Sequence, residues 1–214
     1  MPLVALLSLH AQSYVPVGAE PHHHLKFENR YVRVFDVLVP AGDATLFHLH
    51  PNDYVFVTIS GANLKAQIMG RQPTDLNLKT GDVRFSKAPL THRVVNVGQT
   101  PFRNLTVEIL SSPGSATAPG PPENVTGYTP VLENERVRVY RLILEPGQST
   151  GAYKRQLSGL SVTVSSGKIM VESAGRKHTT EFEAEDFRWH TGAATQAFTN
   201  VGTSRFEAVE IEWK

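Results

Sequence analysis

Asn29-Arg30-Tyr31-Val32-Arg33-Val34-Phe35 recurs in the second half of the chain as Asn134-Glu135-Arg136-Val137-Arg138-Val139-Tyr140. The reading of that pair decides the fold. Within each copy apolar residues alternate with charged ones, the period of a strand with one buried face. The correspondence continues at almost constant spacing. Pro40-Ala41-Gly42 answers Glu145-Pro146-Gly147, and Asn96-Val97-Gly98 answers Asn200-Val201-Gly202. Phe102 answers Phe206, and Val107-Glu108 answers Ile211-Glu212. One such match is chance between two strand-rich segments; an ordered series is two copies of one fold.

Working outward, the same alternation marks Tyr31 to Val39, Tyr54 to Ile59, Asn63 to Met69, Leu90 to Val97 and Asn104 to Leu110, with Gly, Pro, Asn and Asp between them. No stretch holds a helical period over several turns. Short, regularly spaced strands predict an all-β chain of sandwich or barrel type. Residues 111–127 begin Ser-Ser-Pro-Gly-Ser-Ala and continue Pro-Gly-Pro-Pro, a linker with nothing to bury. The predicted organisation is therefore a first barrel over 21–110, the linker over 111–127 and a second barrel over 128–214. Residues 1–20 are read as an N-terminal arm or leader.

In that leader, Leu3-Val4-Ala5-Leu6-Leu7-Ser8-Leu9 followed by His10-Ala11 resembles the apolar region and cleavage site of a secretory signal peptide, with Ala11 the last residue removed. This predicts a periplasmic or secreted protein. The alternative is a cytoplasmic protein whose first residues are an edge strand or a frayed terminus, since no Lys or Arg precedes the run. The run is too short to span a bilayer and no second candidate exists, so no membrane partner is expected. Lys plus Arg is 21 against 20 for Asp plus Glu, a balance that supplies no footprint for nucleic acid. The chain has no cysteine, which excludes disulfides, thiolate nucleophiles and Cys-ligated zinc. No glycine-rich phosphate loop or serine nucleophile elbow is present.

The residues with chemistry to offer are histidines. His48 and His50 flank Leu49, and alternate residues of a strand share a face. They thus present two imidazoles to one side, from where both reach one ion at about 2.1 Å. His92, on a later strand, adds a third imidazole and leaves ligand positions open. His22-His23-His24 is read as a polar surface turn, with approach to the barrel mouth or adventitious metal binding as the alternative, His178 as exposed, and His190 as packing. Arg84 and Arg93 are read as solvated, with orientation of an acidic substrate as the alternative.

At these positions the chain resembles the cupin superfamily. Gly42, His48, His50 and Gly61 fit its first motif, G-x5-H-x-H-x3,4-E-x6-G, while Gly81, His92 and Asn96 fit its second, G-x5-P-x-G-x2-H-x3-N. With the repeat counted, the resemblance covers nearly the whole chain and implies two tandem jelly-roll barrels. Tyr54 stands in place of the motif's glutamate, and Lys87 and Pro89 in place of its Pro and Gly. The resemblance therefore implies a three-histidine centre, as in gentisate- and cysteine-type cupin dioxygenases. Asp53 is a second-tier carboxylate, and Tyr54 either lines the pocket as a catalytic hydrogen-bonding residue or fills the core. The positions in the second half that answer His48, His50 and His92 are Tyr153, Arg155 and Gln196. The second barrel is thus expected to bind no metal and to serve as a structural partner, or else to bind an anion through Arg155.

The resulting expectation is a divalent-metal bicupin acting on a small organic substrate with dioxygen. Fe2+ is favoured, and Zn2+, Mn2+, Ni2+ and Cu2+ are also compatible with imidazole. A non-catalytic binding or structural bicupin is the alternative, and a metal-dependent isomerase or lyase is a third reading, since the fold does not dictate the reaction. Pairing of exposed sheet edges into a homodimer is consistent with either.

Overall fold

The structure, a computed structural model, describes residues 13–112 and 124–214. The proposed cleavage site and the middle of the linker lie outside these residues. The first ten strands are β1 (Val15–Pro16), β2 (His23–Glu28), β3 (Val32–Val39), β4 (His48–His50), β5 (Tyr54–Ser60), β6 (Asn63–Ile68), β7 (Thr74–Asn77), β8 (Val83–Ser86), β9 (Leu90–Asn96) and β10 (Phe102–Ile109). After the linker come β11 (Tyr128–Glu133), β12 (Val137–Leu144), β13 (Tyr153–Arg155), β14 (Gly159–Ser165), β15 (Gly167–Ser173), β16 (Arg176–Phe182), β17 (Phe187–His190), β18 (Ala194–Asn200) and β19 (Phe206–Trp213). No helix among the described residues is long and apolar enough to cross a membrane.

The topology repeats as the sequence does. One half has sheets ordered β1-β4-β9-β6-β7 and β2-β3-β10-β5-β8. The other has β13-β18-β15-β16 and β11-β12-β19-β14-β17, the same order with no counterpart of β1 among the described residues. That extra strand is supplied by residues the sequence reading placed in the arm: Val15 and Pro16 pair parallel with His48 and Leu49. Both halves are two-sheet jelly rolls. The same turn follows β3 and β12, where Gly42 and Gly147 adopt φ of 79° and 80°, a region L side chains avoid.

Strand alternation assigns each face its task. On β10, Leu105, Val107 and Ile109 point out of the first barrel, and on β19, Val209, Ile211 and Trp213 point out of the second. With Val55, Val57, Leu160 and Val162 they form one cluster that joins the two barrels face to face. The residues between them, Asn104 and Thr106 on β10 and Ala208 and Glu210 on β19, face the two interiors. Polar groups close the joint at its rim: Arg103 pairs with Asp36 at 2.8 Å and also with Glu185 of the second barrel. Gly81, at φ 83°, lies under the Arg141–Glu207 pair, where a Cβ would collide with both. The buried amides of Asn96 and Asn200 are used identically, each donating to two backbone carbonyls and accepting one backbone N–H. They are turn-locking residues.

Trp213 is fully buried in the shared cluster, edge-on to Trp189 with ring centroids 5.2 Å apart. Trp213→Ala is expected to destabilise the chain by about 3–5 kcal/mol, read from urea unfolding.

Candidate metal centre

Three strands bring four imidazoles together inside the first barrel. His48 and His50 lie on one face of β4, and His92 on β9 is the direct antiparallel partner of His48, so its ring shares that face. His23 opens β2 opposite Val37, whose side chain belongs to the interior. The His48 ring centroid lies 4.5 Å from His23, 5.0 Å from His50 and 4.5 Å from His92. His50 lies 5.3 Å from His92. One ligand atom each from His23, His48 and His50 falls within 4.8 Å of the others, and all three residues are buried. His92 reaches the cavity beside them, its Nε2 3.5 Å from the Tyr54 hydroxyl.

This corrects the reading of His22-His23-His24 as a surface turn. Only His24 is exposed; His23 lies in the imidazole group, and His22 is tied to Glu20 and Asp43. The sequence held a usable signal. In the repeat, His23 answers Tyr128 just as His48 answers Tyr153, because β2 and β11 begin at the same point of the fold. Asp53 is not in the group. Its carboxylate accepts the Ala88 N–H at 2.8 Å and faces Arg136 of the other barrel at 3.9 Å. Arg93 donates to Gln67 and lies over the Phe47 ring, while Arg84 lines the cavity. Tyr54 is buried and stacks on His50, with ring centroids 4.2 Å apart. Burial pushes its phenol up to about 12, so it carries its proton at neutral pH.

The proton arrangement suits a cation. Burial, then the neighbouring His23 and His50, pull His48 down to about 3. Burial, then His48, His50 and His23, hold His92 well below its ordinary value, and burial lowers His23 against the pull of Glu20. These rings are neutral at pH 7, the form that ligates metals. His48 Nδ1 donates to the Leu46 carbonyl at 2.9 Å, which leaves Nε2 as the acceptor, and that buried atom has no hydrogen-bond partner. Behind His50 lies the fully buried Glu108, 3.5 Å from Nδ1, with Arg33 on its other oxygen. Glu20 is the second buried carboxylate. Burial alone would raise it, but hydrogen bonds from His23 and His22 outweigh burial and hold it at about 2. Clustered neutral imidazoles with an orphaned nitrogen fit a divalent ion of the imidazole-preferring class.

A cavity of about 420 Å³ runs from the imidazoles to the edge strands β7 and β8. Its walls are mostly apolar, including Val37, Phe56, Leu64 and Val94. Arg71 and Arg84 also line it, and no Asp or Glu among the described residues does.

The second barrel answers each imidazole with a different polar group. Tyr128 and Tyr153 share a 2.7 Å hydroxyl–hydroxyl hydrogen bond, and Gln196 Nε2 donates to the Tyr153 hydroxyl at 2.6 Å. Arg155 is buried and donates to the Gly192 carbonyl. Gly159 stands at the place of Tyr54, and the His190 ring lies directly over it, 3.5 Å from Glu210. Glu212 answers Glu108. Burial, then the charge of Glu210, push it up to about 7, and its Oε2 has no partner. A carboxyl raised on folding opposes the folded state once the unfolded chain can ionise, so its cost begins near pH 4.5 and is complete above 7. Glu212→Gln is expected to raise stability at pH 8 and leave it unchanged near pH 4, measured by thermal unfolding at both values.

No protein-family model matches the sequence, and no curated protein does. Solved structures match the fold. AerE from Microcystis aeruginosa superposes with a TM-score of 0.70 at 13% identity, over 93% of this chain and 96% of that one. A cupin 2 conserved barrel domain protein from Leptotrichia buccalis gives 0.55 at 9% identity, over 90% and 88%. Salicylate 1,2-dioxygenase from Pseudaminobacter salicylatoxidans gives 0.59 at 11% identity, over 86% and 71%. The chain has the fold of two tandem cupin barrels.

Proposed function

We propose that the first barrel holds a divalent metal ion through His23, His48 and His50, with His92 completing the set from β9, and that the chain is a metal-dependent dioxygenase of small organic anions. One observation carries this reading: buried neutral imidazoles, one with an orphaned Nε2, form the inner end of an apolar cavity. Imidazole ligands favour Fe2+ in an oxygenase and also accept Zn2+, Mn2+, Ni2+ or Cu2+. The likeness in fold to a salicylate dioxygenase supports the reaction class. The bound ion would supply Lewis acidity and electron transfer to dioxygen.

The chain's own residues supply the rest. Arg71, in the turn after β6, and Arg84, on β8, both line the cavity, and no carboxylate among the described residues does. Neither makes an ion pair within 4 Å among the described residues. They orient a carboxylate-bearing substrate with its other end toward the imidazoles. Phe56, Leu64, Leu76 and Val94 exclude water from its body. The protonated Tyr54 hydroxyl is placed to donate a hydrogen bond to a substrate oxygen near His92.

The alternative is a binding module that captures a ligand without turning it over. The absence of any Asp or Glu from the cavity lining favours it, because no carboxylate base is at hand. Protein purified without added metal is expected to carry a stoichiometric divalent ion that His48→Ala or His50→Ala removes. Oxygen uptake with a panel of carboxylates, diols and diketones then separates the two readings. Uptake marks the oxygenase, metal without uptake marks the binding module, and no metal defeats both. For an active carboxylate, Arg84→Ala or Arg71→Ala is expected to raise KM about 10-fold with kcat largely kept, the loss of one charged hydrogen bond.

A further inference from the structure

Glu20 precedes every cupin-like motif residue and does not line the cavity described above, yet it bonds His23 directly and is linked to His48 through the backbone of Leu46. Its side chain is fully buried. Oε2 accepts from His23 Nδ1 at 2.6 Å and from the His22 backbone N–H at 2.9 Å. Oε1 accepts from the Leu46 backbone N–H at 3.2 Å and faces His22 Nδ1 at 3.1 Å. The carbonyl of that same Leu46 accepts the proton of His48 Nδ1.

We propose that Glu20 is the positioning residue of the metal centre. One buried carboxylate sets His23 directly, and His48 through the backbone of Leu46, in the Nδ1–H tautomer that presents Nε2 to the ion. The inference rests on the metal-centre reading above. The physical need is plain. A neutral imidazole has two tautomers, and the one protonated on Nε2 cannot ligate through that atom. A buried ring chooses between them by the acceptor available to its other nitrogen. His23 has Glu20 as that acceptor. His48 has a carbonyl whose residue is itself pinned by Glu20, so the loop from Leu46 to β4 cannot drift from the arm that carries His23.

The second barrel is the internal control. Three residues before β11, at the place of Glu20, stands the buried apolar Val125. There the two imidazoles have become Tyr128 and Tyr153, which satisfy one another. Where the rings that need a fixed tautomer are absent, so is the carboxylate.

The test is the histidine tautomer, read from two-bond 15N–1H correlations on metal-free protein labelled with 15N-histidine. The wild-type chain is expected to show His23 and His48 as Nδ1–H with bare Nε2. In Glu20→Gln one side-chain oxygen must replace two, so mixed tautomers are expected at both rings. With them come a 10- to 100-fold loss of Co2+ affinity, about the usual cost of an outer-shell partner, and an altered d–d spectrum of the bound Co2+. An Nε2–H signal from either ring in the wild-type chain overturns the proposal without any variant, so the test survives a Glu20→Gln chain that fails to fold. Unchanged tautomers, spectrum and affinity in a folded Glu20→Gln chain overturn it as well. A wild-type chain that takes up no Co2+ while its tautomers still depend on Glu20 defeats the metal reading and upholds the orienting contact.

Discussion

The structure turns on one uncomfortable arrangement: imidazole nitrogens sealed in a β-barrel with no proton to share. Burying a polar atom without a partner costs about 1–3 kcal/mol in folded proteins, and the His48 Nε2 atom is left in that condition. The surrounding residues do not relieve it. Leu46, Glu20 and Glu108 engage or face the Nδ1 side of His48, His23 and His50, which leaves the other nitrogens uncommitted. A cation would be a fitting partner for that atom, and the apolar cavity leads to it.

The two barrels solve the same interior differently. Both use the same strand order, the same glycine turn after the second long strand and the same buried asparagine lock. In the first, the inward positions are rings without donors to spare, backed by carboxylates. In the second, the equivalent positions carry hydroxyl, amide and guanidinium groups, and Tyr128 and Gln196 each hydrogen-bond the Tyr153 hydroxyl. The second barrel also covers the outer face of the first. The cluster from Val32 to Trp213 buries the side of β10 opposite Thr106 and Glu108, so the frame of the imidazole site is stiffened from behind.

Much of this was legible in the residues. The repeat and the alternation within each strand pointed to two copies of one β fold, the His-x-His pair pointed to His48 and His50, and the resemblance to the cupin motifs added the barrel form and His92. The contributions of Glu20 and His23 were harder to see. A single strand of alternating residues does not reveal which of three consecutive histidines faces inward; the partner strand settles that, through the pairing of His23 with Val37. Glu20 lies outside any strand, and its value comes from hydrogen bonds across a long sequence gap to Leu46, which no local pattern encodes. Asp53 was misleading for the opposite reason. It sits beside Tyr54 in sequence, but its carboxylate is drawn off by Ala88 and Arg136 at the boundary between barrels.

The central claim is that the imidazoles of the first barrel share one ion. X-ray absorption at the metal edge, on the chain as purified, examines that directly. The account expects a first shell of nitrogen and oxygen at roughly 2.0–2.2 Å, with the outer-shell scattering of several imidazole rings. A metal with no imidazole scattering, or a chain that retains none, would contradict it.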